Sequence, residues 1–184
     1  MLRKAIRYLT GDNEVAKIAR RYLVMNSFDG ALTILGVVVG TYFAEGPARA
    51  SVVLSAGFGT SLAMGISGFV GAYLTETSER MRSTPNSNGG SDSSMHEESL
   101  ILAFIDGVSP ALITFVAVLP FIVALRRIIS VETAFISSTF IIMVELFGLG
   151  VFLGRIAGKN MILHGLITVL AGVGTFVIVS MLPF

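Results

Sequence analysis

Met25-Asn26-Ser27-Phe28-Asp29-Gly30-Ala31-Leu32-Thr33-Ile34-Leu35-Gly36-Val37-Val38-Val39-Gly40 reads as a hydrophobic helix with an acid inside it. The uncharged run after Asp29, Gly30 to Ala44, has 15 residues, and as a helix it reaches only about 23 Å. A bilayer core is about 30 Å thick and takes roughly 20 residues to cross. A spanning helix must therefore begin near Tyr22, which draws Asp29 inside the inner boundary. An acid at that depth costs on the order of 3 kcal/mol, so such groups usually face a protein interior or a wet path. Asp29, Thr33, Gly36 and Gly40 follow i, i+4, i+7, i+11 spacing, a polar and small stripe on one face. The bland reading is an acid in the first turn, where it suits the helix dipole.

Composition extends this reading to the whole chain. Of 184 residues, 53% are hydrophobic and 14% charged, against roughly 25% charged in soluble proteins. With a mean hydropathy of +0.81, the expected class is an all-α integral membrane protein. The net charge of +1 and the lack of a basic cluster give no support to a nucleic-acid partner. Zero cysteines exclude disulfides, thiolate metal sites and cysteine nucleophiles. Met1 to Arg21 is polar and basic without an apolar core, so no cleavable signal peptide is expected.

Residues 1–21 form a basic, amphipathic segment, with Val15, Ile18, Ala19 and Tyr22 at helical spacing, expected to lie on the membrane surface. Five spans follow at 22–44, 51–74, 99–125, 133–154 and 161–182, in a single membrane domain. Between the second and third runs a linker, 75–98, whose centre from Ser83 to Ser94 is rich in Ser, Asn and Gly and is expected to be flexible. Arg3, Lys4, Arg7, Lys17, Arg20, Arg21, Arg80, Arg82, Arg155 and Lys159 fall on one side of a five-span chain. Arg49, Arg126 and Arg127 fall on the other. The positive-inside rule then expects a cell-membrane protein with its N-terminus in the cytoplasm and its C-terminus outside.

Further acids lie within the spans. Asp106 stands about 10 Å into the third span, with Pro110 four residues later. A proline frees a carbonyl oxygen, which either lines a cavity or accompanies a simple kink. Phe28-Asp29-Gly30-Ala31 and Ile105-Asp106-Gly107-Val108 place Asp-Gly at equivalent depth, a weak parallel repeat. Glu145 is the deepest acid, with no Lys or Arg within one turn; it suits a proton carrier or a cation ligand. In the glycine-rich second span, Thr60, Met64, Ser67 and Gly71 form a stripe. Helix packing is its default reading, although the Met64 thioether can bind soft metals. Around the linker, Glu76, Glu79, His96 and Glu97 either collect a divalent cation at the cytoplasmic mouth or form a solvated acidic edge.

Several stretches together resemble the vacuolar iron transporter family, which includes the yeast calcium-cross-complementer iron and manganese carriers. They are Ser27-Phe28-Asp29-Gly30, Ala56-Gly57-Phe58, Ile66-Ser67, Gly71-Ala72-Tyr73-Leu74, Ser78-Glu79, Leu146-Phe147-Gly148-Leu149-Gly150, and Thr168 to Gly174. The resemblance implies a homodimer whose first spans line a central path, exporting Fe²⁺ or Mn²⁺ from the cytosol against protons. Asp29 carries over. The family's second-span glutamate is Thr60 here, its methionine is Gly68, and its glutamate-rich metal-collecting domain is replaced by the short linker.

The expectation is therefore a small, dimeric, proton-coupled carrier of divalent transition metals. Asp29, Met64, Asp106, Glu145, Glu76, Glu79, His96 and Glu97 are its candidate metal residues. Asp29 and Glu145 are its candidate proton carriers, and no resident cofactor is expected. The rival is a non-transporting membrane protein that keeps the fold for partner assembly. A membrane-embedded enzyme is disfavoured by the lack of clustered catalytic groups.

Overall fold

The computed structural model describes residues 6, 9–11, 13–44, 49–83 and 92–182, the side chains at 83 and 92–95 excepted. Five helices follow one another: α1 (Glu14–Ala44), α2 (Ala50–Ser83), α3 (Asp92–Leu125), α4 (Val131–Ile156) and α5 (Met161–Ser180). Each is long and apolar enough to cross a membrane, and no strand occurs among the described residues. The chain is an all-α, multi-pass membrane protein.

Local chemistry sets the helix ends. Asn13 caps α1 by accepting a hydrogen bond from the Ala16 N–H, with Glu14 in the first turn. Ser130 caps α4 through the Thr133 N–H, and Asn160 caps α5 through the Leu163 N–H. Between α4 and α5 the chain turns at Gly158, whose φ of +62° is the left-handed conformation that glycine adopts without strain.

Two boundaries differ from those read in the sequence. Residues 14–21 of the basic segment continue without a break into the first span as α1, while residues 1–5, 7, 8 and 12 lie outside the described residues. The stripe of Val15, Ile18, Ala19 and Tyr22 packs on Ile101, Leu102 and Ile105 of α3 instead of lying on lipid. Ahead of α1, the Leu9 and Gly11 carbonyls accept hydrogen bonds from the Arg20 guanidinium. The linker, in turn, is shorter than 75–98. Helix α2 continues to Ser83 and α3 begins at Asp92, while the Ser/Asn/Gly centre at 84–91 lies outside the described residues.

Helix α3 packs against α1, α2 and α4. Its Ala117, Val118 and Phe121 join Ile34, Leu35, Val38 and Val39 of α1 and Ile142 and Leu146 of α4 in one buried cluster. Helix α5 closes onto α4, where the Thr168 hydroxyl donates to the Leu146 carbonyl at 2.7 Å. Outward surfaces such as Ile136, Phe140 and Val144 on α4, and Leu166, Ile167 and Leu170 on α5, are exposed apolar side chains suited to lipid.

The α4–α5 contact depends on Gly150. A β-carbon there would clash with the His164 carbonyl oxygen and stand 2.7 Å from the Gly165 Cα. Gly148, on the same helix, would meet nothing within 4 Å. Gly150→Val should therefore lower the detergent-solubilised protein's stability by about 1–3 kcal/mol or more, through overpacking against rigid backbone. Gly148→Ala should leave it unchanged or slightly raised. Thermal unfolding followed by circular dichroism distinguishes the two, and equal effects would refute this packing.

Candidate functional site

Asp29 lies on α1 with its side chain exposed on the surface of the single chain. Thr33, Gly36 and Gly40 along the same stripe are partly exposed, and a β-carbon on Gly36 would meet nothing. The polar, small face of α1 is therefore left open by the chain's own fold.

One turn below Asp29, Asn26 bonds across to α3. Its Nδ2 donates a short hydrogen bond to Oδ1 of Asp106 on α3. Asp106 is only 6% exposed. Its second oxygen, Oδ2, lies 2.9 Å from where a β-carbon on Gly68 would stand. Gly68 in turn lines an open pocket of about 370 Å³ together with Asn26, Ala63, Met64 and Ser67. Of the residues expected from sequence, Met64 lines this pocket between α1 and α2, while Asp106 is buried behind it, packed against Gly68 and bonded to Asn26.

The remaining candidates divide. Glu76 is buried, accepts from the Tyr22 hydroxyl at 2.7 Å, and lies 3.8 Å from the Arg80 Nε. Arg80 also donates to Glu98 at 2.5 Å. This chain of groups ties α1, α2 and α3 together at one end of the bundle, so Glu76 is a structural anchor in α2. Glu79 and Glu97 are exposed and His96 is partly exposed, near the ends of α2 and α3. Glu145 is partly buried midway along α4, and its Oε2 is enclosed without a hydrogen-bond partner. No ion pair reaches Asp29, Asp106 or Glu145 among the described residues. Nor do three or more His, Asp or Glu side chains gather in a metal-holding group among them. The expected cytoplasmic collecting cluster of Glu76, Glu79, His96 and Glu97 is therefore not assembled within the described part of one chain.

Asn26 and Tyr22 are the functional neighbours that sequence reading missed. Their positions, three and seven residues before Asp29, carried the signal, since i−3 and i−7 share a helix face. Their partners are 80 and 54 residues away, beyond any local pattern.

The clamp at Glu76 yields a stability prediction. Tyr22→Phe removes one donor to a buried carboxylate and should cost about 1–3 kcal/mol, the usual penalty for leaving a buried polar atom unsatisfied. Tyr73→Phe, at a partly buried position for which no hydrogen bond is found, should cost less. Parallel thermal melts in one detergent provide the measurement, and an unchanged Tyr22→Phe midpoint would remove the clamp.

Comparison with known proteins adds a relative. An uncharacterized protein of Methanocaldococcus jannaschii is 34% identical over 158 residues, covering 79% of this chain and 78% of the relative. No family model and no solved structure matches the chain.

Proposed function

The chain belongs to the same family as the Methanocaldococcus jannaschii protein, and we propose that it is a homodimeric, proton-coupled exporter of a divalent transition-metal ion, Fe²⁺ or Mn²⁺. The observation that carries this reading is the exposed Asp29 on the open face of α1. A carboxylate at membrane depth is not left against lipid without large cost, so a second copy is the natural cover. In a two-fold dimer a surface near the axis meets itself. The stripe of Asp29, Thr33, Gly36 and Gly40 then faces its own copy, and the small residues allow close approach.

Two Asp29 carboxylates across such an axis supply the countercharge of one divalent cation or of two protons. Exchange of one for the other couples export to a proton gradient without a net charge left in the membrane. Carboxylate, amide and hydroxyl oxygens suit Fe²⁺ and Mn²⁺, and the lack of cysteine disfavours Cu⁺. Glu145, enclosed in α4 without a partner, serves as a proton station. The lysine and arginine distribution supports a cytoplasmic N-terminus in the cell membrane. The non-transporting alternative draws on one observation, that no three-acid metal group assembles in the described chain.

Metal flux into liposomes against an imposed pH gradient separates the two readings. Asp29→Asn keeps the shape and loses the charge, so the dimer should persist while flux falls to that of empty liposomes. Glu145→Gln should flatten the dependence of flux on the pH gradient more than it weakens metal binding. A wild-type rate in Asp29→Asn would transfer support to the non-transporting reading. The interface has its own check, since Gly36→Cys should crosslink between subunits under mild oxidation. Failure there, while cysteines placed on α5 crosslink, would move the interface away from α1.

A further inference from the structure

We propose that the cleft between the start of α1 and the end of α4 holds one anionic phospholipid, with its phosphate on Arg20, Arg21 and Arg155 and its acyl chain on the apolar wall beside them. The proposal is independent of the transport reading and needs only that the bundle sit in a membrane.

Two cavities adjoin in this cleft. One, of about 540 Å³, is lined by Arg20 of α1, by Phe152, Arg155 and Ile156 of α4, and by Leu9 ahead of α1. The other, of about 220 Å³, is lined by Lys17, Arg20, Arg21 and Val24 of α1 and by Leu153 and Ile156 of α4. Arg20 and Ile156 border both. Residues from the two ends of the chain are thus gathered by the fold into one basic rim.

The charge around the cleft is one-sided. Lysine and arginine line the two cavities and no carboxylate does. Lys17 has its own counterion, Glu14, at 2.6 Å. Arg20, Arg21 and Arg155 pair with no carboxylate among the described residues. Arg20 donates to the Leu9 and Gly11 carbonyls, and Arg21 lies 5.8 Å from the centre of the Tyr22 ring. These contacts fix the side chains without neutralising them. Like charges brought together repel, and an anion between them relieves the repulsion. The planar guanidinium fork matches phosphate oxygens two at a time.

Position in the bilayer selects a lipid over a free phosphate. Arg20 and Arg21 immediately precede the apolar run that opens at Tyr22, and Arg155 directly follows the fourth apolar run, 133–154. All three therefore stand at the level of lipid headgroups. Val24, Phe152 and Leu153 follow on the bilayer side of these arginines along their own helices. A free phosphate would engage the rim alone, whereas a phospholipid engages the rim and the apolar wall beneath it. Basic pockets between membrane helices hold anionic headgroups by this combination.

The test is titration of the full-length protein in detergent with phosphatidylglycerol, with bound lipid counted by native mass spectrometry. Detergent removes the surface potential of a bilayer, so diffuse attraction to a charged membrane does not contribute. Binding should saturate at one lipid per chain, and phosphatidylcholine with the same acyl chains should bind about tenfold more weakly or worse. Arg155→Gln should weaken phosphatidylglycerol binding about tenfold, while Lys159→Gln should change it by less than about twofold. Lys159 is exposed in the next turn and lines neither cavity. Arg21→Gln should also weaken binding, and it decides if circular dichroism shows that Arg155→Gln does not fold. Equal losses in Arg155→Gln and Lys159→Gln, or equal binding of the two lipids, overturn the site. Displacement of the lipid by an equal concentration of inorganic phosphate overturns the lipid as its occupant.

Discussion

Pro110 rests against Gly30 so closely that a β-carbon on the glycine would stand 2.9 Å from its Cα, and Gly107 meets the Gly65 backbone in the same manner. These two contacts seat α3 against α1 and α2 together. Hydrophobic driving force between helices is weak in lipid, so association relies on close packing and on hydrogen bonds between helices. Both are concentrated along α3. The contact with Gly30 brings Asn26 level with Asp106, one turn below, and the contact with Gly65 brings Gly68 onto the same acid. Larger residues at Gly30 or Gly65 would separate the helices and with them the groups of the pocket.

The helices were legible because membrane spans announce themselves by length and apolarity, and all five are found where the sequence placed them. Their ends were less legible. Val15, Ile18 and Ala19 have a helical stripe that fits a membrane surface and a helical partner equally well; only Ile101 and Leu102, some 85 residues on, decide for the partner. The linker was overextended because Thr75–Arg82 is polar, and polarity alone does not distinguish a loop from the solvated end of a long helix. For the candidate site, the acids themselves were visible and their roles were not. Glu76 reads from sequence as either a cytoplasmic cation ligand or part of a solvated acidic edge, and is instead held by Tyr22. Asp106 read as an acid near a proline, and the pairing with Asn26 that gives it a place was not visible.

The acids of the chain differ in what balances their charge. Glu76 has the Tyr22 hydroxyl and lies near the Arg80 guanidinium, while Glu98 accepts directly from Arg80. A buried charge met in this way stays fixed, and breaking the set leaves an uncompensated group behind. Such an arrangement suits a permanent clamp across α1, α2 and α3.

Asp29, Asp106 and Glu145 have no such cation beside them among the described residues. Asp106 has one neutral amide, Glu145 has an enclosed oxygen with no partner, and Asp29 faces outward. A fixed arginine at any of these positions would neutralise the carboxylate permanently, as Arg80 does beside Glu98. The same arginine would exclude a mobile positive charge from the position it neutralises. An acid without a built-in counterion takes up a proton or a mobile cation more readily than one already paired. The contrast between a clamp with its own cation and three acids without one is what the proposed exchange of a divalent ion for protons requires of the fold.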